Sequence, residues 1–139
     1  MIIFSLIFIH WYSSLFFQTF FLHRYASHNM FKMNWFWERT FYLLTFIFQG
    51  SSFLQPAAYA VMHRKHHAYA DTEQDPHSPK FERNIFKFNK RTFLEYNFYV
   101  KKFLNNEMNV LDVPRWPFIE KIAELFFIRV CFVIIYIYI

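Results

Sequence analysis

MIIFSLIFIHWYSSLFFQTFFL, residues 1–22, decides what kind of molecule this is. It contains no Asp, Glu, Lys or Arg. A helix needs about 20 apolar residues to cross the hydrocarbon core of a bilayer, so this run predicts a transmembrane helix. It does not read as a signal peptide: a basic n-region is missing, and no small-residue cleavage pattern precedes His23. His10 and Gln18 are its polar marks. A lone intramembrane histidine more often packs against a neighbouring helix than binds metal, and His10 is left outside the candidate site.

Chemistry-bearing residues begin where this run ends. His23-Arg24-Tyr25-Ala26-Ser27-His28 follows it directly. On a straight α-helix a five-residue step turns side chains roughly 140° apart. His23 and His28 therefore cannot chelate one ion from an undistorted turn; they serve two ions or converge where the helix ends. A second cluster is His63-Arg64-Lys65-His66-His67. Its imidazoles stand at i, i+3 and i+4, which share one helix face. Neutral imidazole is the commonest protein metal ligand, and a cluster this dense is costly to charge because like cations repel. The competing reading is a polar helix end with three solvated histidines.

Composition supports a membrane protein. Apolar residues make up 55% of the 139, and Phe alone fills 22 positions, too much for an ordinary soluble domain. The single Gly excludes a phosphate-cradling loop or dinucleotide fingerprint. The single Cys, Cys131, excludes a disulfide framework and cysteine-based metal sites. The formal charge of +5, in so apolar a chain, points to anionic lipid head groups or a phosphate-bearing substrate rather than nucleic acid.

Fourteen of the fifteen basic residues lie between positions 24 and 121, and none precedes Arg24. The positive-inside rule then places the N-terminus outside and His23 and His28 at the cytoplasmic face. Asn34-Trp35-Phe36-Trp37 reads as an interfacial aromatic anchor. Residues 40–62 are again free of charge, but Gln49-Gly50-Ser51-Ser52 and Gln55-Pro56 weaken a straight apolar helix. A full crossing would carry the second cluster to the far side, so a shared site requires an interfacial or re-entrant segment broken near Gly50 and Pro56. After His67, turn-forming residues and two prolines end the helix. There Asp71, Glu73 and Asp75 are candidates to accept ring N–H groups of ligand histidines; the competing reading is a solvated acidic loop. Residues 85–113 read as one or two basic amphipathic helices, with Phe93, Tyr96, Val100, Phe103 and Leu104 at helical spacing. The remainder, 118–139, starts a further transmembrane helix, with Arg129 near its start or snorkelling to the interface.

Together the boxes are specific. H-x4-H sits at the end of an apolar helix, and thirty-five residues later comes HRKHHAYADTEQDPHSP. The combination resembles the membrane fatty acid desaturases, specifically acyl-CoA desaturases of the delta-9 type, with their stretch of the form HRxHHxxxDTxxDPHxP. The resemblance implies an all-α integral membrane protein with about two transmembrane helices plus interfacial and cytosolic amphipathic helices, as a fragment of a larger helical desaturase fold. It divides the chain into one transmembrane helix (1–22), a cytoplasmic or interfacial His-box region (23–117) and the start of a further helix (118–139). It implies a di-iron oxidoreductase on the cytoplasmic face that inserts a cis double bond into a fatty acyl-CoA using O2. By motif position His23, His28, His63, His66 and His67 would be iron ligands; His77 falls in the DPH loop, which is not a ligand position. No nicotinamide or flavin motif is present, so electrons would come from a separate protein of the ferredoxin or cytochrome b5 type. The family carries a third box, H-x2-H-H, and no histidine follows His77 here. The expectation is thus a C-terminally truncated chain whose incomplete iron site is inactive by itself. Two alternatives stand beside it: a His-box membrane hydroxylase, and a non-catalytic membrane fragment that binds no metal.

Overall fold

A computed structural model of the chain describes residues 2–76, 78–82 and 84–138, so His77 lies outside the described residues. Those residues form helices and turns and no strand. Helix α1 (Ile2–Phe17) continues without a break into a π-helix (Gln18–Ser27). Helix α2 (Trp35–Gln49) starts at Asn34, whose side chain accepts from the Trp37 N–H and so satisfies one of the free donors at a helix start. Then come a 3₁₀ turn (Gly50–Ser52), α3 (Pro56–Ala68), α4 (Ile85–Leu104), α5 (Pro117–Ala123) and α6 (Phe126–Tyr138).

The first helical rod is long and apolar enough to cross a membrane over Phe4–Ser27. Its large side chains, among them Phe4, Ile7, Phe8, Trp11 and Leu15, are exposed around it. Such a surface suits lipid better than water, since in water each such residue would forgo about 1.5–3 kcal/mol of burial. Helix α2 folds back along it through aromatic contacts: Phe17 stacks on Phe48 at 5.2 Å, and Phe20 meets Phe41 at 5.1 Å.

The charge-free stretch 40–62 is interrupted between Gly50 and Pro56, and the chain turns there instead of running on. Gly50 has φ +51° and ψ −118°, a conformation open to glycine and strained for any other residue. A Cβ at this position would overlap the Tyr136 hydroxyl and press on Phe132, because α6 lies against the turn. Pro56 then opens α3, where its missing N–H costs nothing.

Two cores hold the helices. One joins Ala26 of the π-helix and Ala57, Ala58 and Ala60 of α3 to Tyr96, Tyr99, Val100 and Phe103 of α4. Small residues on both facing surfaces let the π-helix and α3 approach closely. The other packs Phe21, Leu22, Tyr42 and Phe53 against Ile119 and Ala123 of α5. Beside it the fully buried Glu120 accepts from Nε and Nη2 of Arg115, from the Trp116 N–H and from the Tyr42 hydroxyl, so no lone charge is left in the interior.

Two expectations are refined in detail. The amphipathic segment is one helix ending at Leu104, and Phe93 points outward, while Tyr96, Val100 and Phe103 are buried. The buried stripe runs through Tyr99, so spacing alone picked one residue from the wrong edge of the face. Of the two readings of Arg129, the position near the start of α6 is the one found: there it binds Glu124 and the Ala123 carbonyl, which fixes the start of α6 against α5.

Gly50→Ala is expected to destabilise the fold by about 1–3 kcal/mol, the usual cost of a residue forced into a glycine-only conformation. Thermal unfolding in detergent should show a lower midpoint; an unchanged midpoint would mean that the turn after α2 is not fixed by this residue.

Candidate metal centre

Winding solves the problem of the first histidine pair. Between Gln18 and Ser27 the backbone closes i→i+5 bonds, and the His28 N–H donates to the His23 carbonyl at 3.1 Å. This wider turn brings positions five apart onto nearly the same side, which α-helical winding does not. His23 and His28 accordingly stand face to edge with ring centroids 4.6 Å apart, and their Nε2 atoms are separated by 3.2 Å. Side chains favour the distortion locally. The Thr19 hydroxyl bonds back to the Leu15 and Phe16 carbonyls, and the Ser27 hydroxyl takes the Leu22 carbonyl at 2.7 Å.

Helix α3 supplies the other half. His63 and His67, one turn apart, present Nε2 atoms 3.1 Å from each other, and His63 Nε2 lies 3.1 Å from His28 Nε2. Each of His23, His28, His63 and His67 offers a nitrogen within 4.8 Å of the other three. His66 sits beside this set, its ring 5.5 Å from that of His67, and its Nδ1 lies 2.8 Å from the Asp75 carboxylate. An Nδ1–H donated to Asp75 puts the ring's acceptor lone pair on Nε2. Asp75 is fully buried, and its second oxygen accepts from the Asp71 N–H. Among the described residues, Asp75 is the one of the three acidic candidates in this loop whose carboxylate meets a histidine. The Asp71 carboxylate accepts from Ser78, and Glu73 contributes its backbone carbonyl to Arg91.

The donor set suits a cation on three grounds. Metal–nitrogen bonds of about 2.1 Å set right-angled ligand pairs about 3 Å apart, and the neighbouring nitrogens here are 3.1–3.2 Å apart. Converging imidazole lone pairs repel one another unless a proton or a metal stands between them. The π-helix and α3 also both end at this cluster, and the negative end of a helix dipole favours positive charge. Protonation is the poorer solution. Burial, followed by the charges its neighbours His23, His67, His28 and His66 would carry, pushes His63 down to about 4, so it stays neutral and able to ligate at physiological pH. Tyr59 stacks on its ring at 5.6 Å.

Sequence reasoning missed what joins the two halves. Arg64, between the histidines of the second box, donates from Nε to the Ser27 carbonyl at 2.7 Å and from Nη2 to the Ala26 carbonyl at 3.0 Å. Its Nη1 meets both oxygens of Asp112, which also accepts from Asn29. The position of Arg64 inside the box was a signal that could have been read; for Asp112, 48 residues further on, the sequence offers none.

A family model described as fatty acid desaturase matches residues 1–139. The chain is 32% identical over 102 residues to the Delta-9 desaturase-like 4 protein of Arabidopsis thaliana. It is 31% identical over 98 residues to the Delta-9 desaturase-like 5 protein of the same plant. Each alignment covers 70% of this chain and 30% of the relative, so the chain spans less than a third of the length of those proteins. No solved structure matches significantly.

Replacing His23, His28, His63 or His67 singly with Ala is expected to weaken Co2+ binding by the chain in detergent by at least about 10-fold, the scale on which even supporting contacts act. His10→Ala should leave it unchanged. Retained affinity in any of the four would remove that ring from the set.

Proposed function

The chain belongs to the fatty acid desaturase family, and on that premise we propose that its five box histidines, His23, His28, His63, His66 and His67, form part of an iron centre for O2-dependent desaturation. The observation that carries this reading is the convergence of four imidazole nitrogens from two segments at the end of an apolar, membrane-length helix. The substrate is a saturated acyl chain carried as a thioester of CoA, and the product holds a cis double bond. One C–H hydrogen leaves from each of two adjacent carbons; O2, those two hydrogens, two further protons and two electrons from a separate donor protein leave as two molecules of water.

Iron, when bound, supplies the power to activate O2 against an unactivated C–H bond, which no side-chain acid or base can break. The chain's own residues supply position. His23 and His28 come from the membrane helix, and His63 and His67 from α3. His66 is aimed by Asp75. These are neutral nitrogen donors, so they leave the metal its charge. The absence of a third His-x2-His-His box among the 139 residues means that further ligands for two irons would have to come from elsewhere. Family likeness of the HRKHHAYADTEQDPHSP stretch favours desaturation over hydroxylation.

The basic residues from Arg24 onward, with none before it, support a cytoplasmic side for this centre. A tag at the N-terminus is expected to be accessible from outside intact cells and one in residues 80–102 inaccessible; the reverse pattern would overturn the orientation. In a full-length desaturase carrying these boxes, His63→Ala, His66→Ala or His67→Ala should abolish alkene formation and lower bound iron. Retained desaturation in any of them would count against that ligand.

A further inference from the structure

We infer that Arg64 and Asp112 are positioning residues that hold the π-turn in register with α3 and so set the metal affinity of the histidine cluster, an inference that rests on the metal-centre reading above. The last carbonyls of any helix lack intrahelical partners. Here two of them, on Ala26 and Ser27, lie immediately before His28. Arg64 takes both, from the residue following His63 on the other half of the site. One planar guanidinium therefore fixes the backbone under one histidine relative to the backbone under another. Lysine, a single point donor, cannot reach both carbonyls and a carboxylate at once.

Asp112 holds the guanidinium in that plane. Both its oxygens face Nη1, at 3.0 and 2.9 Å, and Oδ2 also accepts from the Asn29 amide at 2.8 Å. Asn29 follows His28 directly and has φ +50°, the left-handed conformation that turns the chain out of the π-helix. The contacts thus close a ring from His28 through Asn29, Asp112 and Arg64 to His63. Arg64, Asp112 and Asn29 stand outside the histidine donor set, yet loosening the ring lets the two histidine pairs drift apart. Contacts that orient ligands typically change metal affinity 10–100-fold when removed.

The test is a Co2+ titration of the 139-residue chain in detergent, reading affinity and the visible absorption band, which reports ligand geometry. Arg64→Met keeps length and apolar stem while losing every donor. It should bind about 10–100-fold more weakly, with an altered band and unchanged far-UV helicity, and Arg64→Lys should recover only part of the loss. Asp112→Asn, at a half-exposed site, should weaken binding in the same direction by less; it decides the matter if Arg64→Met fails to fold. Unaltered affinity and band in the folded variants would overturn the inference while leaving the metal centre in place, provided His63→Ala abolishes binding. Should the unaltered chain take no Co2+, both the centre and the inference fall.

Discussion

Everything at the candidate centre depends on two imidazoles five residues apart sharing one side of a helix. At 3.6 residues per turn they point roughly 140° apart. The i→i+5 winding of Gln18–Ser27 removes that divergence. π-Helical turns are rare because they loosen the backbone's regular contacts, and they occur frequently at functional sites. This one is supported at both ends: by the Thr19 and Ser27 hydroxyls within the helix, and by Arg64 from outside it. The alanines of α3 and Ala26 leave room for the close approach that puts His63 against His28.

Magnitudes separate what holds the fold from what tunes the site. Arg64 and Asp112 are partly exposed, and as an ion pair such groups contribute only about 0–1 kcal/mol. Their importance is geometric: one guanidinium on α3 reaches two other chain segments, at Ala26 and Ser27 and at Asp112. Glu120 is the opposite case. It is fully buried among Arg115, Tyr42 and Trp116, where removing one partner of a buried pair costs about 3–5 kcal/mol. That knot ties α5 to α2 through Tyr42 and to α4 through the Arg115 bond to the Phe103 carbonyl.

Much of the architecture was readable from residue types alone. The apolar run at the start, the helical spacing of His63, His66 and His67, the break from Gly50 to Pro56 and the amphipathic helix from Ile85 all follow from local rules: length against bilayer thickness, 3.6-residue period, and the backbone demands of Gly and Pro. The identity of the candidate ligands was legible too, because clustered imidazoles are chemically conspicuous. What those rules left open was every relation between segments.

The sequence by itself determined a helical membrane chain carrying two histidine boxes. Only the tertiary structure decided that His23 and His28 share a face, that Asp75 rather than Asp71 or Glu73 meets His66, and that Arg64 and Asp112 join the boxes. The reason is one of range. Period and propensity report what a residue does to its neighbours a turn away. The meeting of His28 with His63, and the guanidinium that joins α3 to the π-helix and to Asp112, depend on partners 35 to 48 residues distant, whose placement no local pattern encodes.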